Sequence, residues 1–247
     1  MERGLSLLVA IVLVSVAPCV HGTFHLSFSP DLPVNISRDG CGRTKLCISK
    51  PNDCDPVKST SCLFGSFNTT TNCTTNGTNC TTNATNYIRD VNSELSGQSE
   101  GYIAMGSTLN ISAGVSLMMI CGRNANNSFF FQTMERNNTN NVLMPIDQTV
   151  SNIRGKVNQS LIQCEFTVPN YNTSRALVLF LATGSVNGST LGPLNISLVT
   201  APLDLNNPAS NVPTTAPPTG NRAAGVTPAH ALVLLLNIAT LLALLKP

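Results

Sequence analysis

The stretch LIQCEFTV, residues 161–168, shows most clearly how this chain folds. Its apolar side chains recur at every second position, so that Ile162, Cys164, Phe166 and Val168 can share one face of an extended strand. The polar residues between them fall on the opposite face. This alternation is typical of a β-strand that packs one face on a core and turns the other face to solvent.

Short apolar runs of the same character recur along the chain from residue 87 onward, at a spacing of about ten residues and separated by Gly, Asn and Pro clusters. They predict strands at residues 102–105, 115–121, 128–132, 142–146, 161–168 and 176–183. Such a series predicts an all-β fold, an antiparallel β-sandwich of immunoglobulin-like architecture. Residues 177–181 are continuously apolar, which predicts a central strand covered on both faces.

The N-terminus carries a segment that predicts secretion. An apolar run over residues 5–17 is too short for a stable membrane span, and the small residues Val20 and Gly22 fit a signal-peptidase site. We therefore expect residues 1–22 to be a signal peptide that is cleaved after Gly22. An uncleaved N-terminal anchor is the alternative.

The C-terminus carries a second apolar run, residues 231–245. As a helix it would reach roughly 22 Å, short of the hydrocarbon core of about 30 Å. A polar spacer precedes the run, and the small residues Gly220, Asn221 and Ala223 precede the spacer. This order predicts a glycosylphosphatidylinositol anchor on Asn221, with Gly220 or Ala223 as alternatives and residues 222–247 removed. A short transmembrane helix remains the other interpretation.

The polarity of the chain comes from amides and hydroxyls, because only 11% of its 247 residues are charged and the net charge is +2. No basic surface indicates nucleic acid as a partner. The Asn-rich sequence instead contains many N-glycosylation acceptor sites, which are used in secreted proteins. These sequons begin at Asn35, Asn68, Asn72, Asn76, Asn79, Asn83, Asn110, Asn126, Asn137, Asn158, Asn172, Asn187 and Asn195.

The cysteines predict disulfide bonds rather than a metal or redox site. Cys19 leaves with the signal peptide, and an even number remains: Cys41, Cys47, Cys54, Cys62, Cys73, Cys80, Cys121 and Cys164. No pair has the two-residue gap of a zinc or redox motif, so we expect no metal site. Spacing does not fix the connectivity. Two pairs are suggested: Cys73 with Cys80, closing a small loop, and Cys121 with Cys164, linking two strands.

Composition also divides the chain into segments. Residues 68–86 contain a duplication, TNCTTNG followed by TNCTTNA, which predicts a glycosylated surface loop because two copies are too few for a repeat fold. Pro and Thr dominate residues 201–221, which predicts an extended stalk. The expected organisation is a lead-in at 23–40, a sandwich at 41–200 that begins with a loop-like Cys-rich segment and carries the insertion at 68–86, and the stalk at 201–221.

Several motifs of the chain resemble the DOMON domain of the ferric-chelate reductase 1 family. The motifs are CGRTKLC at 41–47, PNDCDP at 51–56 followed by Cys62, SG at 96–97, GYIAMG at 101–106, ICGR at 120–123, VSNIR at 150–154 and the strand at 162–167. The resemblance covers roughly residues 41–200 and rests on the order and spacing of the motifs. It implies a β-sandwich.

The resemblance also implies a redox alternative. Some DOMON domains hold haem b between an axial Met and an axial His, and in the reductases the domain precedes a cytochrome b561 membrane module. We expect no such module here, because no set of membrane spans follows residue 200 in this sequence. The family's Met-Gly element falls at Ala113-Gly114 here, and its Asp pair falls near Ser116-Leu117. Only His25 lies between the two expected cleavage sites. We therefore expect no cofactor, with haem b as the alternative.

Catalytic arrangements find little support in the sequence. A Ser-His or Cys-His pair would need a histidine, and the acidic residues show no spacing typical of paired catalytic carboxylates. The predicted function is non-catalytic recognition or modulation at the extracellular face of the plasma membrane, with a protein or glycan partner. The alternatives are a haem b electron-transfer domain associated with ferric-chelate reductase activity, and a protective coat without a specific partner.

Overall fold

The computed structural model describes residues 33–70, 88–188 and 190–212, and within them the chain forms eleven strands and no helix. The strands are β1 Leu46–Lys50, β2 Leu63–Thr70, β3 Ile88–Gln98, β4 Tyr102–Thr108, β5 Val115–Arg123, β6 Phe129–Asn137, β7 Leu143–Pro145, β8 Ser151–Asn158, β9 Leu161–Asn172, β10 Leu177–Asn187 and β11 Thr190–Leu203. The described residues up to Asn211 form one compact unit. A second unit begins at Val212, and only Val212 of it is described.

Two antiparallel sheets make up the fold. One has five strands in the order β1-β2-β3-β9-β8, and the other has six in the order β11-β10-β4-β5-β6-β7. Their inner faces enclose the main hydrophobic core. The predicted antiparallel β-sandwich is therefore confirmed.

The alternation in β9 produces the core as the sequence predicts. Ile162, Cys164, Phe166 and Val168 are all buried between the sheets, and Phe166 packs against Phe131 of β6 with ring centroids 5.0 Å apart. Burying a large apolar side chain contributes about 1.5–3 kcal/mol relative to exposure, so this face adds several kcal/mol to the stability of the core.

Strand β10 is buried on both faces, in agreement with its continuous apolar run. Leu179 and Leu181 point into the core between the sheets, whereas Phe180 and Ala182 belong to a second cluster on the outer face of the six-stranded sheet. The ring of Phe180 lies over Gly106 of β4 so closely that an added Cβ would come within 2.1 Å of it. A glycine is required at this position of β4 because any side chain would occupy the space of the Phe180 ring.

Strands β1, β2, β3, β8 and β11 were not predicted from the sequence, and the Cys-rich segment, which was predicted to be loop-like, contains β1 and the start of β2. The outer positions of β3 and β8 are occupied by polar residues, and an inner position of β8 is Gly155, over which the Phe129 ring packs. Apolar counting misses such strands because cross-strand pairing, rather than their own hydrophobicity, stabilises them.

Two predicted boundaries are wrong. The insertion does not begin at residue 68, because β2 continues to Thr70; its remainder lies outside the described residues. The stalk does not begin at residue 201, because β11 continues to Leu203 and Leu205 is buried in the core. Pro202 is tolerated because β11 is an edge strand, where a missing N–H costs no ladder bond.

Disulfide bonds connect the parts of this unit. Cys41 pairs with Cys47, Cys54 pairs with Cys62, and Cys121 of β5 pairs with Cys164 of β9. The last bond joins the two sheets through the middle of the core, as the sequence analysis suggested for that pair. Cys73 and Cys80 lie outside the described residues.

Candidate functional site

Part of the outer face of the five-stranded sheet is polar, and strand register places the residues of this part. Ser66 of β2 stands opposite Glu94 of β3, Glu94 stands opposite Glu165 of β9, and Glu165 stands opposite Arg154 of β8. Because directly opposite residues of paired strands share a face, these side chains form one row across four strands.

A second row lies beside the first, displaced by two residues toward the C-terminal end of β2. Asn68 stands opposite Asn92, and Asn92 stands opposite Thr167. The hydroxyl of Thr167 donates to Asn92 Oδ1 at 2.8 Å and accepts from Asn152 Nδ2 at 3.3 Å. These bonds hold the amides of Asn92 and Asn152 in fixed orientations.

The two rows line an open recess of about 470 Å³, which falls within the range of about 300–1,000 Å³ that is usual for ligand pockets. Every residue that lines the recess except Phe166 is polar or charged. The recess is lined by Lys45, Ser66, Asn68, Asn92, Ser93, Glu94, Asn152, Arg154, Glu165, Phe166 and Thr167. We call it the polar recess.

On one side of the polar recess the charged groups form an ion pair. Lys45 Nζ donates to Glu94 Oε2 at 2.7 Å, and both side chains are largely covered, being 10% and 25% exposed. Ser66 Oγ donates to the same oxygen at 3.0 Å. A charge-assisted bond in such a setting is stronger than a neutral one and holds both groups in place.

Glu165 and Arg154 occupy the other side of the polar recess. The backbone N–H of Asn35 donates to Glu165 Oε1 at 2.9 Å, which brings the segment before β1 to the rim. Arg154 is exposed and forms no ion pair with any described residue. It is thus an unpaired cation that lines the recess, and arginine is enriched among the residues that dominate the binding energy of protein interfaces.

Glu94 and Glu165 are among the acidic residues whose sequence spacing indicates no paired function. They become neighbours only because β3 pairs with β9, and nothing in either segment specifies that long-range pairing. The alternating pattern of residues 163–167 could have placed Glu165 on an outer face. It could not have supplied Glu94 as its neighbour.

The sequons of the described residues lie in accessible positions. Their asparagines are exposed at residues 35, 68, 110, 126, 158, 172, 187 and 195, and half-buried at 137. Four of these side chains, those of Asn110, Asn126, Asn137 and Asn172, accept the N–H of the Ser or Thr two residues on, at 2.9–3.1 Å. This is the geometry of an Asx-turn. The sequons at 72, 76, 79 and 83 and the expected anchor site Asn221 lie outside the described residues.

The positions that the family resemblance links to haem have another role here. Asn138 Nδ2 donates to the carbonyl oxygen of Ala113 at 3.1 Å, and Ser116 Oγ donates to Asn138 Oδ1 at 2.6 Å. These bonds tie the β4–β5 loop to the end of β6 with neutral groups that are poor haem ligands.

The described residues offer few features of a haem site. The cavity between the sheets, which Met105 and Met119 line, measures about 30 Å³, close to the share of one water molecule in the liquid. No histidine occurs in the part of the chain that the structure describes, and no group of three or more His, Cys, Asp or Glu there could hold a metal ion.

Among the residues that the structure describes, there is no helix with the length and hydrophobicity of a membrane span.

Together, the fold and the site define the class of the molecule as a disulfide-bonded antiparallel β-sandwich with a polar recess on one outer face. The chain is 26% identical to putative ferric-chelate reductase 1 of Danio rerio over 160 residues, which are 62% of this chain and 25% of the relative. It is 24% identical to ferric-chelate reductase 1 of Homo sapiens over 159 residues, which are 61% of this chain and 24% of the relative.

These similarities are weak but support a relationship to the ferric-chelate reductase 1 proteins. The chain matches only about a quarter of the length of these curated relatives. No family model matches the chain, and no solved structure matches it.

Proposed function

We propose that this chain is a glycosylphosphatidylinositol-anchored, N-glycosylated protein of the extracellular face of the plasma membrane. Its sandwich, which we assign to the DOMON type, works by contact with another surface molecule, in recognition or in modulation of a membrane protein. The polar recess is the observation that carries this proposal, since it combines a pocket of ligand-binding size with fixed amides and an unpaired arginine.

Contact, rather than catalysis, agrees best with the chemistry of the polar recess. Glu94 is held by Lys45 and Ser66, and Glu165 accepts from the backbone of Asn35. Carboxylates engaged in this way are suited to orienting polar groups of a partner. Glycans on the exposed sequons would restrict the partner to the surface that they leave open.

The proposal is tested by removing the unpaired cation. We expect a secreted tetramer of residues 23–221 to bind a subset of cells, and Arg154→Ala to weaken that binding by about tenfold or more, because a charged contact at an interface centre is worth about 2 kcal/mol or more. Binding is measured by titration in flow cytometry. Surface substitutions of this type change stability by no more than about 0.5 kcal/mol, so folding is preserved.

Lys156→Ala is the matched control. Lys156 lies on the same strand and the same outer face, two residues from Arg154, but does not line the polar recess. Equal losses from both substitutions would reduce the contact to general charge attraction. Unchanged binding by Arg154→Ala would contradict the role of the polar recess.

A second function is favoured by the similarity to ferric-chelate reductase 1 proteins. In this alternative the sandwich binds haem b and passes electrons to or from a separate membrane reductase. The absorption spectrum and iron content of the purified secreted chain distinguish the two. A stoichiometric Soret band that shifts on reduction would replace recognition with electron transfer.

A further inference from the structure

Asn68 occupies an unusual place for a sequon asparagine, inside the polar recess rather than on a loop. It lies on β2, whose neighbours in the sheet are β1 and β3, and its side chain stands between Lys45 and Asn92 on the outer face. The sequon continues with Thr69 and Thr70 at the end of the same strand. Any group attached to Asn68 therefore begins within the polar recess.

Among the amides of the polar recess, Asn68 is the one whose side chain is free. Asn92 donates to Thr70 and accepts from Thr167, and Asn152 donates to Thr167. The side chain of Asn68 is exposed and makes no hydrogen bond with any described residue. Its Nδ2 atom, to which an N-linked glycan attaches, is thus available without breaking an existing contact.

Unused hydrogen-bonding capacity surrounds Asn68. Both bonds to Glu94 end on its Oε2 atom, which leaves Oε1 as an open acceptor one strand away. Lys45 has three donors and uses two of them, on Ser37 and Glu94. The hydroxyl and acetamido groups of a sugar are complementary to this pair, because they donate to a carboxylate and accept from an ammonium group.

We propose that the part of the polar recess over β1, β2 and β3 is the seat of an N-linked glycan carried by Asn68 itself. The first sugar rings lie against the sheet, with Glu94 accepting from them and Lys45 donating to them. Arg154 on β8 is three strands away from Asn68 on β2, which is roughly 14 Å at the usual strand spacing. The first sugar ring therefore does not reach Arg154.

The position of the glycan does not depend on the proposed function, but its consequence for a partner does. If the glycan covers the β1–β3 part of the recess, the surface open to a partner narrows to β8 and β9, around Arg154 and beside the Asn35 segment that contacts Glu165. Glycan occupancy at Asn68 would then decide how much of the polar recess a partner can reach.

The test compares two glycans on the same protein. The full chain is expressed in mammalian cells with a mannosidase inhibitor, so that every occupied site carries the same endoglycosidase H-sensitive glycan. Asn195 is the internal control, because it is exposed on the edge strand β11 and does not line the polar recess. Glycopeptide mass spectrometry follows enzymatic release at each site over time, in native and in denatured protein.

We expect Asn68 to be occupied and its glycan to be released about tenfold more slowly than that of Asn195 in the native protein, because a seated glycan must first detach from the sheet. After denaturation the two rates should be equal. An unoccupied Asn68, or equal rates in the native protein, would overturn the inference. Neither outcome depends on partner binding, so the proposed function is judged separately by the Arg154 titration.

A second measurement uses substitutions that remove one glycan each. Asn68→Gln should lower the thermal midpoint of the glycosylated protein, whereas Asn195→Gln should leave it unchanged. When both proteins are instead produced without N-linked glycans, by refolding from a bacterial host, the Asn68→Gln difference should disappear. A difference that persists without glycans would assign the effect to the side chain and contradict the seat.

Discussion

Tyr102 shows how one buried residue makes stability depend on pH. Its side chain is fully buried, its hydroxyl donates to the carbonyl oxygen of Gly192 at 3.0 Å, and burial raises the pKa of Tyr102 to about 12. In the unfolded chain the pKa returns to about 10. The folded state therefore holds this proton more tightly, and its contribution to stability is complete below pH 10 and lost as the pH rises toward 12.

We expect the free energy of unfolding to fall between pH 9 and pH 11, with Tyr102 accounting for roughly 1.4 kcal/mol of the loss at pH 11. Tyr102→Phe should remove that share of the pH dependence, at a cost of about 1 kcal/mol at neutral pH for the lost hydrogen bond. Guanidinium unfolding at the two pH values measures both effects. Because burial also raises the pKa of Tyr171, some alkaline dependence should remain in the variant. An unchanged slope would contradict the assignment to Tyr102.

At the scale of elements, the bond between Cys121 and Cys164 holds β5 and β9 together across the core. It closes a loop of 43 residues, whereas Cys41–Cys47 closes one of six. Chain entropy predicts that the longer loop contributes about 4 kcal/mol and the shorter one roughly 2 kcal/mol. Replacing both cysteines of the longer loop by Ala should therefore cost about twice as much.

Denaturant unfolding of the two double-alanine variants tests this ranking, with the wild-type m-value as the check that both unfold in one transition. Equal losses of unfolding free energy in the two variants would mean that loop entropy does not account for the stabilisation by the Cys121–Cys164 bond. A larger loss from the Cys41–Cys47 variant would show that the segment before β1 controls folding of the unit.

The strands that the sequence predicted are those whose own side chains form the core. The runs at residues 102–105, 115–121 and 161–168 became β4, β5 and β9, because apolar side chains there drive burial independently of the partner strand. The polar recess could not be predicted in this way. It arises from the pairing of β3 with β9, and the Glu94–Glu165 neighbourhood exists only after distant segments have met. Its free side chain, Asn68, had been assigned to a loop because the Thr-rich composition extends into β2.

The whole molecule is proposed to sit on a lipid anchor, with its sandwich outside the cell. We expect phosphatidylinositol-specific phospholipase C to release the protein from intact transfected cells, because the lipid alone would hold it there. Release is measured by immunoblotting of the medium. A variant in which residues 222–247 are replaced by a known transmembrane helix serves as the control that must stay on the cells. Retention of the wild-type chain after enzyme treatment would contradict the anchor.

The central claim is that the face of the five-stranded sheet contacts another surface molecule, and a photocrosslinking amino acid tests it most directly. The crosslinker is placed at Asn152, which lines the polar recess, or at Val199, which is 44% exposed on β11 of the other sheet. After irradiation of intact cells, the account predicts one reproducible adduct of fixed mass from position 152 and none from position 199. The same adducts from both positions, or none from position 152, would contradict it.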